Sequence, residues 1–291
     1  MNLKGYALSV LLCVIWGMAF VAIRVADSEP DLSFVNLTIL RWVAVSACFL
    51  ILYPFIVKPK VRFERRDIPR LLVVAVTSVD IYHLSLNYSE KIVDASVAGV
   101  LISLGPLFSI VFSVLLLHER LGRRFALGLV LALAGAVVIS SPDLNFGSGT
   151  IFGPLGVVLS SLAAGIYTAT SKPLVTKYGP FPVAVWAAFV GTAILAPLGS
   201  QGLLQQAASL SFNGWAAIIY LAVLSTVLAN LIFFTLLSRQ SVSRLSIQLY
   251  LIPLVSVIGG MAVLAEPLTP EIVAGGAILL LGVTIGTRSR K

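Results

Sequence analysis

Long apolar stretches alternate with short polar connections along the whole chain. Ten such stretches can be marked, at residues 6–23, 32–57, 68–87, 95–117, 125–140, 151–171, 181–198, 215–237, 245–264 and 272–286. A helix needs about 20 apolar residues to cross ~30 Å of hydrocarbon, and an open strand would leave backbone groups unpaired in lipid. The pattern therefore predicts an all-α membrane protein with ten transmembrane helices.

The composition agrees with this prediction. Of 291 residues, 58% are hydrophobic and 11% are charged, whereas about 25% of a soluble domain is charged. A net charge of +8 would suggest nucleic acid as the partner of a soluble protein. Here the basic residues lie in the short connections, as in membrane proteins with positive cytoplasmic loops. We therefore expect a lipid bilayer as partner and no nucleic acid.

One stretch of the chain occurs twice, 147 positions apart. Its proline, glutamate and two glycines keep their spacing in both copies, as Pro106, Glu119, Gly128 and Gly135 match Pro253, Glu266, Gly275 and Gly282. A weaker match at 148 positions aligns Trp16-Gly17 with Ala164-Gly165 and Arg24 with Lys172. These matches predict a first five-helix repeat over residues 1–143, a second over residues 150–287, and a tail at residues 288–291.

The basic residues predict the topology of the two repeats. With the N-terminus inside, all Lys and Arg residues fall on the cytoplasmic side except Arg24, Arg41 and Lys91, so both termini are expected to be cytoplasmic. Five helices per repeat is an odd number, and the second repeat must therefore be inverted. Inverted repeats are typical of secondary transporters, whose substrate site lies near mid-membrane between the halves.

At these positions the chain resembles an EamA-type member of the drug/metabolite transporter superfamily. It has Trp16-Gly17 in the first helix, a proline-centred fourth helix, and the paired turns Glu119-Arg120-Leu121 and Glu266-Pro267-Leu268. The resemblance covers essentially the whole chain. It implies a basket of ten helices, in two inverted five-helix repeats around a central cavity, with both termini cytoplasmic. It also implies a bacterial exporter of amino acids and related metabolites, and the chain resembles most the aromatic and neutral amino-acid branch.

The third predicted helix carries the most informative polar residues. Thr77, Asp80, His83 and Asn87 lie within a narrow arc of that helix. Asp80 lies ~18 Å from the cytoplasmic end of its helix, and Arg41 lies ~13 Å from the external end of the second helix. We predict that these two charges pair, because isolated charges are costly in a membrane. The pair could line or gate the cavity, or it could be a structural link between two helices. His83 could relay protons or bind a substrate carboxylate, or it could simply bond a neighbour.

Aromatic and amide side chains supply the other cavity candidates. Flat amphipathic rings suit an apolar or aromatic side chain on a zwitterion. Tyr82 is predicted to point away from the Asp80 arc, and Trp42 to be an interfacial anchor. Ordinary helix packing is the alternative for each candidate. The candidates are Trp16, Tyr167, Trp186, Asn230, Gln248 and Tyr250.

Further features predict bending and packing. Pro106 and Pro253 interrupt predicted helices, so each is a candidate for a flexible or a static bend. Small residues at Gly128, Ala132, Gly135 and Ala136, and at Gly282 and Gly286, indicate close helix packing. The turn glutamates, Glu119 and Glu266, are expected to cap a helix or link to a neighbouring one.

We therefore predict a secondary transporter that exports small metabolites, neutral or aromatic amino acids first, by alternating access in the bacterial inner membrane. We expect a monomer without cofactor, metal or catalytic residues. The alternatives are a nucleotide-sugar or organophosphate transporter, an intramembrane enzyme and a channel. Phosphorylated cargo would need several cations facing the cavity. An enzyme would need a nucleophile–base pair or metal ligands, and a channel would need polar stripes on several helices.

Overall fold

The computed structural model describes residues 3–56, 61–117, 123–139, 150–199, 202–239, 242, 245, 248–249 and 251–287. Helices make up nearly all of this part of the chain, and no strand occurs in it. In chain order they are α1 (Leu3–Asp27), α2 (Phe34–Ile56), α3 (Arg65–Glu90), α4 (Ala95–Leu116), α5 (Arg123–Ile139), α6 (Phe152–Tyr178), α7 (Pro180–Leu198), the short α8 (Leu203–Ser209), α9 (Phe212–Arg239), α10 (Leu251–Leu264) and α11 (Pro270–Thr287).

The helices that lie within the predicted spans differ in length. Within the described ranges, seven helices are long and apolar enough to cross a membrane, namely α1–α4, α6, α7 and α9. The apolar parts of α5, α10 and α11 are shorter. Large apolar side chains project from the outer surface, for example Leu50 and Ile51 at 66% exposure and Phe55 at 77%. A soluble protein rarely exposes so much apolar surface, whereas lipid contact accounts for it.

Glycine, proline and capping side chains define the helix ends. Gly179 adopts φ 87° between α6 and α7, and Pro180 then begins α7. Such a positive φ suits glycine, and proline suits a first helical turn. At the start of α9, the hydroxyl of Ser211 accepts a hydrogen bond from the Gly214 backbone N–H at 3.1 Å, which caps the helix.

Glu266 links the two halves at the start of α4. Ala265 adopts φ 55° just after α10, and this left-handed residue turns the chain. The Glu266 carboxylate then accepts hydrogen bonds from the backbone N–H groups of Ala95 at 2.8 Å and Ser96 at 3.0 Å. A carboxylate is favourable at a helix N-terminus. The expected capping role of Glu266 is confirmed, while Glu119 lies outside the described residues.

Pro106 and Pro253 do not interrupt regular helices in the way that the sequence predicts. In α4, a short 3₁₀ turn at Ile102–Leu104 precedes Pro106 and breaks the regular α-helix. The predicted ninth span places Pro253 in mid-helix, but α10 begins at Leu251. Pro253 therefore lies in the first turn, where a missing N–H costs little.

The small-residue stripes meet where α5 crosses α11. A Cβ on Gly135 would lie 2.6 Å from the Gly275 carbonyl oxygen. A Cβ on Gly282 would lie 2.6 Å from the carbonyl oxygen of Gly128. Residue 128 thus faces 282 and residue 135 faces 275, so the two helices run antiparallel in direct backbone contact. The predicted close packing is confirmed.

Buried apolar residues form two clusters around this framework. One cluster joins α4, α5, α10 and α11 with part of α9. The other joins α2, α3, α6, α7 and the rest of α9. Helix α1 contributes to both clusters, and the space between them is the cavity described next.

Candidate functional site: a central cavity

A cavity of about 1220 Å³, its opening included, lies in the middle of the bundle. Residues of α1, α2, α3, α4, α6, α7, α9 and α10 line it. Most of the wall is apolar, and its large rings are Trp16, Phe20, Trp42, Tyr82, Tyr167, Phe233 and Phe234.

The rings of the wall contact one another rather than standing alone. The centroids of Trp16 and Phe233 are 5.2 Å apart, and those of Tyr167 and Phe233 are 5.9 Å apart. On the opposite side, His83 packs between Trp42 at 5.0 Å and Tyr82 at 4.8 Å, edge to face with each. Such tilted contacts fix ring positions, so the wall is preformed.

The structure brings some of the predicted residues to the wall and leaves others away from it. Those in the wall are Trp16, Arg41, His83, Tyr167, Asn230, Pro106 and Pro253. Those outside it are Thr77, Asp80, Asn87, Trp186 and Gln248. Tyr250 lies outside the described residues. The substrate-binding role of each remains a prediction.

A π-helical turn explains why α3 departs from the predicted arc. Residues Val76–Ile81 form this turn, which has more residues per turn than the α-helix that the arc assumed. The ring nitrogen Nδ1 of His83 donates to the Ser78 carbonyl oxygen, five residues earlier, at 2.8 Å. As a result Ser78, Tyr82 and His83 face the cavity. The prediction of a single arc facing the cavity is therefore wrong: Tyr82, which was predicted to point away from the Asp80 arc, lines the cavity, whereas Asp80 does not.

The predicted ion pair between Arg41 and Asp80 is also wrong. Arg41 instead donates to two hydroxyls of α9: Nε and Nη2 bond Thr226 Oγ1 at 3.0 and 2.8 Å, and Nη2 bonds Ser225 Oγ at 3.4 Å. Both carboxyl oxygens of Asp80 are buried without a hydrogen-bond partner. The prediction rested on the similar depths of Arg41 and Asp80 in the membrane. The π turn rotates Asp80 away from the side of α3 that faces Arg41.

The remaining candidates outside the wall have structural contacts. Thr77 donates to the Val73 carbonyl at 2.6 Å, and Asn87 Nδ2 donates to Thr38 Oγ1 at 2.8 Å. Trp186 is 43% exposed on the outer surface, where it packs edge to face on Phe63. Gln248 accepts a hydrogen bond from the Ser9 hydroxyl at 2.6 Å.

The sequence did not identify Ser225 and Thr226, whose hydroxyls accept hydrogen bonds from Arg41, the only Arg in the described wall. Hydroxyl residues are common in apolar helices, so their type alone gave no signal. A second π turn at Tyr220–Leu228 presents them, and Thr226 Oγ1 donates to the Leu221 carbonyl five residues earlier at 2.7 Å. Trp42 was also missed, because an indole near a helix end resembles an anchor. The repeat spacing offered a signal for Ser225, because it lies 147 positions after Ser78, which also lines the cavity.

Equivalent positions of the two repeated segments both contribute to the cavity wall. His83 and Asn230 are 147 positions apart and both line the cavity, as do Pro106 and Pro253. At the other offset of 148, Phe20 and Thr168 both line it. The cavity is therefore formed by corresponding faces of the two halves.

Charged residues close one end of the bundle, which we call the acidic end and define by Asp27, Glu90, Asp94 and Glu266. Arg24 Nη1 donates to the Glu90 backbone carbonyl, and Arg24 Nη2 lies 3.9 Å from Asp94 Oδ1. Burial raises the pKa of the Asp94 carboxyl; nearby Glu266 adds to the rise and Arg24 opposes it. Lys91 pairs with Asp27 at 3.4 Å. These contacts tie α1, α3 and the start of α4 together beyond the cavity.

The opposite end of the bundle, which we call the basic end, carries a polar cluster of Glu64, Asp67, Lys177 and Tyr178. Lys177 Nζ contacts Glu64 Oε1 at 2.6 Å and Asp67 Oδ2 at 2.7 Å, and the Tyr178 hydroxyl donates to Asp67 at 2.6 Å. The hydrogen bond from Lys177 lowers the pKa of Glu64. This cluster joins the start of α3 to the end of α6. In the described part of the chain, no group of three His, Cys, Asp or Glu side chains could hold a metal ion.

Comparison with known proteins identifies the family. The model of the EamA-like transporter family matches residues 3–141 and again residues 151–287. The chain belongs to the EamA-like transporter family. The family resemblance seen in the sequence is thereby confirmed. This EamA-like transporter is a multi-pass membrane protein whose substrate is a small molecule.

Relatives of the EamA-like transporter cover it almost completely. An uncharacterized transporter of Archaeoglobus fulgidus is 33% identical, over 99% of this chain and 100% of the relative. A probable terminal-alkyne amino-acid exporter of Streptantibioticus cattleyicolor is 30% identical, over 96% and 92%. A probable amino-acid metabolite efflux pump of Escherichia coli is 25% identical, over 100% and 98%. A solved crystal structure shares the fold, with a TM-score of 0.70 at 18% identity over the whole of both chains.

Proposed function

We propose that this EamA-like transporter is a secondary transporter that exports neutral or aromatic amino acids and related small metabolites by alternating access. The observation that carries the proposal is the central cavity, whose described wall is mostly apolar, carries several aromatic rings and has Arg41 as its only guanidinium. An apolar wall with a few fixed polar groups suits a small molecule with an apolar body and one polar end. The names of two relatives, an amino-acid exporter and an amino-acid metabolite efflux pump, support this substrate class.

We further propose that the halves, residues 1–143 and 150–287, are inverted repeats with ten spans in total. The crossing of α5 and α11 supports this arrangement. If each residue is replaced by the one 147 positions away in the other half, the contact between Gly135 and Gly275 becomes the contact between Gly282 and Gly128, which is also present. Since the helices cross antiparallel there, this exchange turns one half upside down relative to the other.

A second pair of contacts supports the same exchange. Arg24 of α1 donates to the backbone carbonyl of Glu90 at the end of α3. Lys172 of α6 donates to the backbone carbonyl of Leu237 near the end of α9, at 2.5 Å. The two cations are 148 positions apart and the two carbonyls 147 apart. One contact lies at the acidic end, and the other lies towards the end of α6 that also carries the Lys177 cluster.

The proposed orientation places the basic end and both termini in the cytoplasm of a bacterial cell, with the acidic end outside. The distribution of Lys and Arg supports this assignment. We also propose that a monomer is the transporting unit. A nucleotide sugar or organophosphate is disfavoured as cargo, because Arg41 is the only Lys or Arg that the described wall contains and phosphate recognition uses several cations.

Uptake into liposomes tests the transport proposal. Purified protein is reconstituted and challenged with labelled phenylalanine, leucine and a sugar phosphate, with and without a pH gradient. We expect phenylalanine and leucine to be taken up by counterflow and the sugar phosphate to be excluded. Uptake of the sugar phosphate alone would contradict the proposal.

Two aromatic substitutions separate the cavity from the outer surface. Tyr167→Ala removes a ring from the wall and is expected to lower uptake at least about tenfold, because a buried ring contributes several kcal/mol of contact. Trp186→Ala removes a larger ring from the outer surface and should leave uptake within about twofold. Equal losses in the two variants would show that the cavity is not the transport site.

Reporter tags test the inverted arrangement. Tags inserted after Gly122 and after Thr269 occupy the corresponding turns of the two repeats. We expect the first tag in the cytoplasm and the second outside. Both tags on one side of the membrane would refute the inversion.

A further inference from the structure

Arg41 is a buried cation held at the cavity wall. Its side chain is 4% exposed, and its hydrogen bonds to Ser225 and Thr226 use only Nε and Nη2. Within the described residues, the guanidinium makes no hydrogen bond through Nη1. The hydroxyls of α9 therefore fix the plane of the guanidinium and leave one nitrogen for a ligand.

No acidic side chain within the described ranges forms an ion pair with Arg41. The carboxylate of Glu90, which is fully buried, has no hydrogen-bond partner in the described part of the chain, so it is not paired with Arg41. The two groups are thus not in contact. A buried charge in a membrane protein normally has a partner. Arg41 instead lies in the wall of the central cavity, where an anionic group of a ligand would pair with it.

The rest of the wall supplies donors and rings rather than carboxylates. The described wall includes no Asp or Glu. The indole N–H of Trp42, the neighbour of Arg41, is buried without an acceptor. A site with a cation, spare donors and aromatic rings suits a carboxylate on an apolar body. It offers no negative side chain for an ammonium group.

We propose that Arg41, positioned by Ser225 and Thr226, binds the carboxylate of the transported molecule. The described cavity wall supplies no carboxylate side chain that would bind an α-ammonium group. This inference rests on the proposed function and narrows its substrate class to monocarboxylates with an apolar or aromatic body. Amino acids are one branch of that class. Carboxylic acids without a free amino group are the other branch, and the site binds them at least as well.

Four ligands that share a phenyl ring test this inference on the purified, detergent-solubilised protein. They are 3-phenylpropionate, its neutral amide, phenylalanine and 2-phenylethylamine, and binding is measured by calorimetry. We expect 3-phenylpropionate to bind at least about tenfold more tightly than its amide, because a hydrogen bond to a charged group is the stronger kind. Phenylalanine should bind no more than about twofold more tightly than 3-phenylpropionate, and 2-phenylethylamine should bind least.

The same measurements show how the inference would fail. Tighter binding of 2-phenylethylamine than of 3-phenylpropionate would overturn it, and so would a tenfold preference for phenylalanine. Failure of all four ligands to bind at millimolar concentration would also overturn it. Selective carboxylate binding without liposome uptake would leave the inference standing and refute the proposed transport. Uptake of phenylalanine without carboxylate selectivity would do the reverse.

Substitutions assign the selectivity to Arg41. Arg41→Gln should bring the affinities for 3-phenylpropionate and its amide to within about twofold of each other, whereas a purely structural Arg41 would leave their ratio unchanged. Arg24→Gln is the matched control: it removes an intramembrane cation outside the wall, so the ratio should persist. If Arg41→Gln does not fold, Thr226→Val removes the hydroxyl that accepts from Nε and Nη2. It should lower the ratio several-fold, and an unchanged ratio in Thr226→Val would overturn the inference.

Discussion

The crossing of α5 and α11 makes a sharp prediction about two glycines. A Cβ on Gly135 would lie 2.6 Å from the Gly275 carbonyl oxygen and 2.8 Å from Leu279 Cα. The first distance is about 0.8 Å short of ordinary van der Waals contact. The clashing atoms belong to backbone, so no side chain can move aside and the helices must separate. Overpacking of this kind costs about 1–3 kcal/mol, and we expect that loss for Gly135→Ala.

Gly282→Ala should cost a similar amount, because its Cβ would meet the equivalent backbone atoms: the Gly128 carbonyl oxygen at 2.6 Å and the backbone nitrogen of Ala132, which corresponds to that of Leu279. Both substitutions push the same two helices apart. The loss in the double variant should therefore be smaller than the sum of the single losses, since neighbouring sites are not additive.

Gly276→Ala is the matched control on α11. A Cβ there would meet only Val100 Cγ1, at the ordinary distance of 3.7 Å. Its stability should be unchanged, or higher by up to about 1 kcal/mol from helix propensity. The assay is unfolding of the purified variants by a denaturing detergent in mixed micelles. Equal stability of Gly135→Ala and Gly276→Ala would refute the close crossing, and a loss at Gly135 without one at Gly282 would refute the equivalence of the halves.

Three further substitutions test other contacts. Arg24→Gln and Lys172→Gln each remove a cation that donates to a carbonyl near the end of a helix, so each should lower the free energy of unfolding by about 1 kcal/mol or more; a loss in one variant only would contradict their equivalence. The folded-state pKa of Asp94 is raised, so ionisation of this carboxyl destabilises the folded state. The contribution of the protonated carboxyl to stability is complete below about pH 4, and it is lost as the pH rises from there towards the raised pKa. Asp94→Asn should flatten that slope in a pH series of melting temperatures, and an unchanged slope would count against the assigned burial. Asp80→Asn keeps the shape of a side chain whose oxygens have no partner, so the melting temperature should not fall; a fall of several degrees would reveal an interaction of the carboxylate.

The sequence predicted the helices and the small-residue stripes along which two of them pack closely, because both depend on local composition. Runs of apolar residues require helices in lipid, and Gly135 and Gly282 have no side chain to keep α5 and α11 apart. The Glu266 turn was predictable for a similar reason, since a carboxylate beside a helix start has an obvious partner in free N–H groups.

The faces of the helices were harder to predict. In lipid, both the outer and the inner face of a helix are apolar, so Trp186 on the surface and Trp16 in the wall look alike in sequence. The arc through Thr77 and Asp80 assumed 100° per residue throughout α3. A single π turn changed that register, and no residue type announced it. The partner of Arg41 could not be predicted either, because hydroxyls on a distant helix carry no charge to match.

The two π turns have a consequence for the history of the chain. Residues Val76–Ile81 in α3 correspond, at an offset of 147, to the last six residues of the turn Tyr220–Leu228 in α9. A π turn has the geometry left by one residue added to a regular helix. Two separate additions at matching points would be a coincidence, whereas one addition in an ancestral five-helix unit would be copied into both halves when its gene was duplicated. If the proposed repeats arose by such a duplication, the bulge is older than the two-part protein.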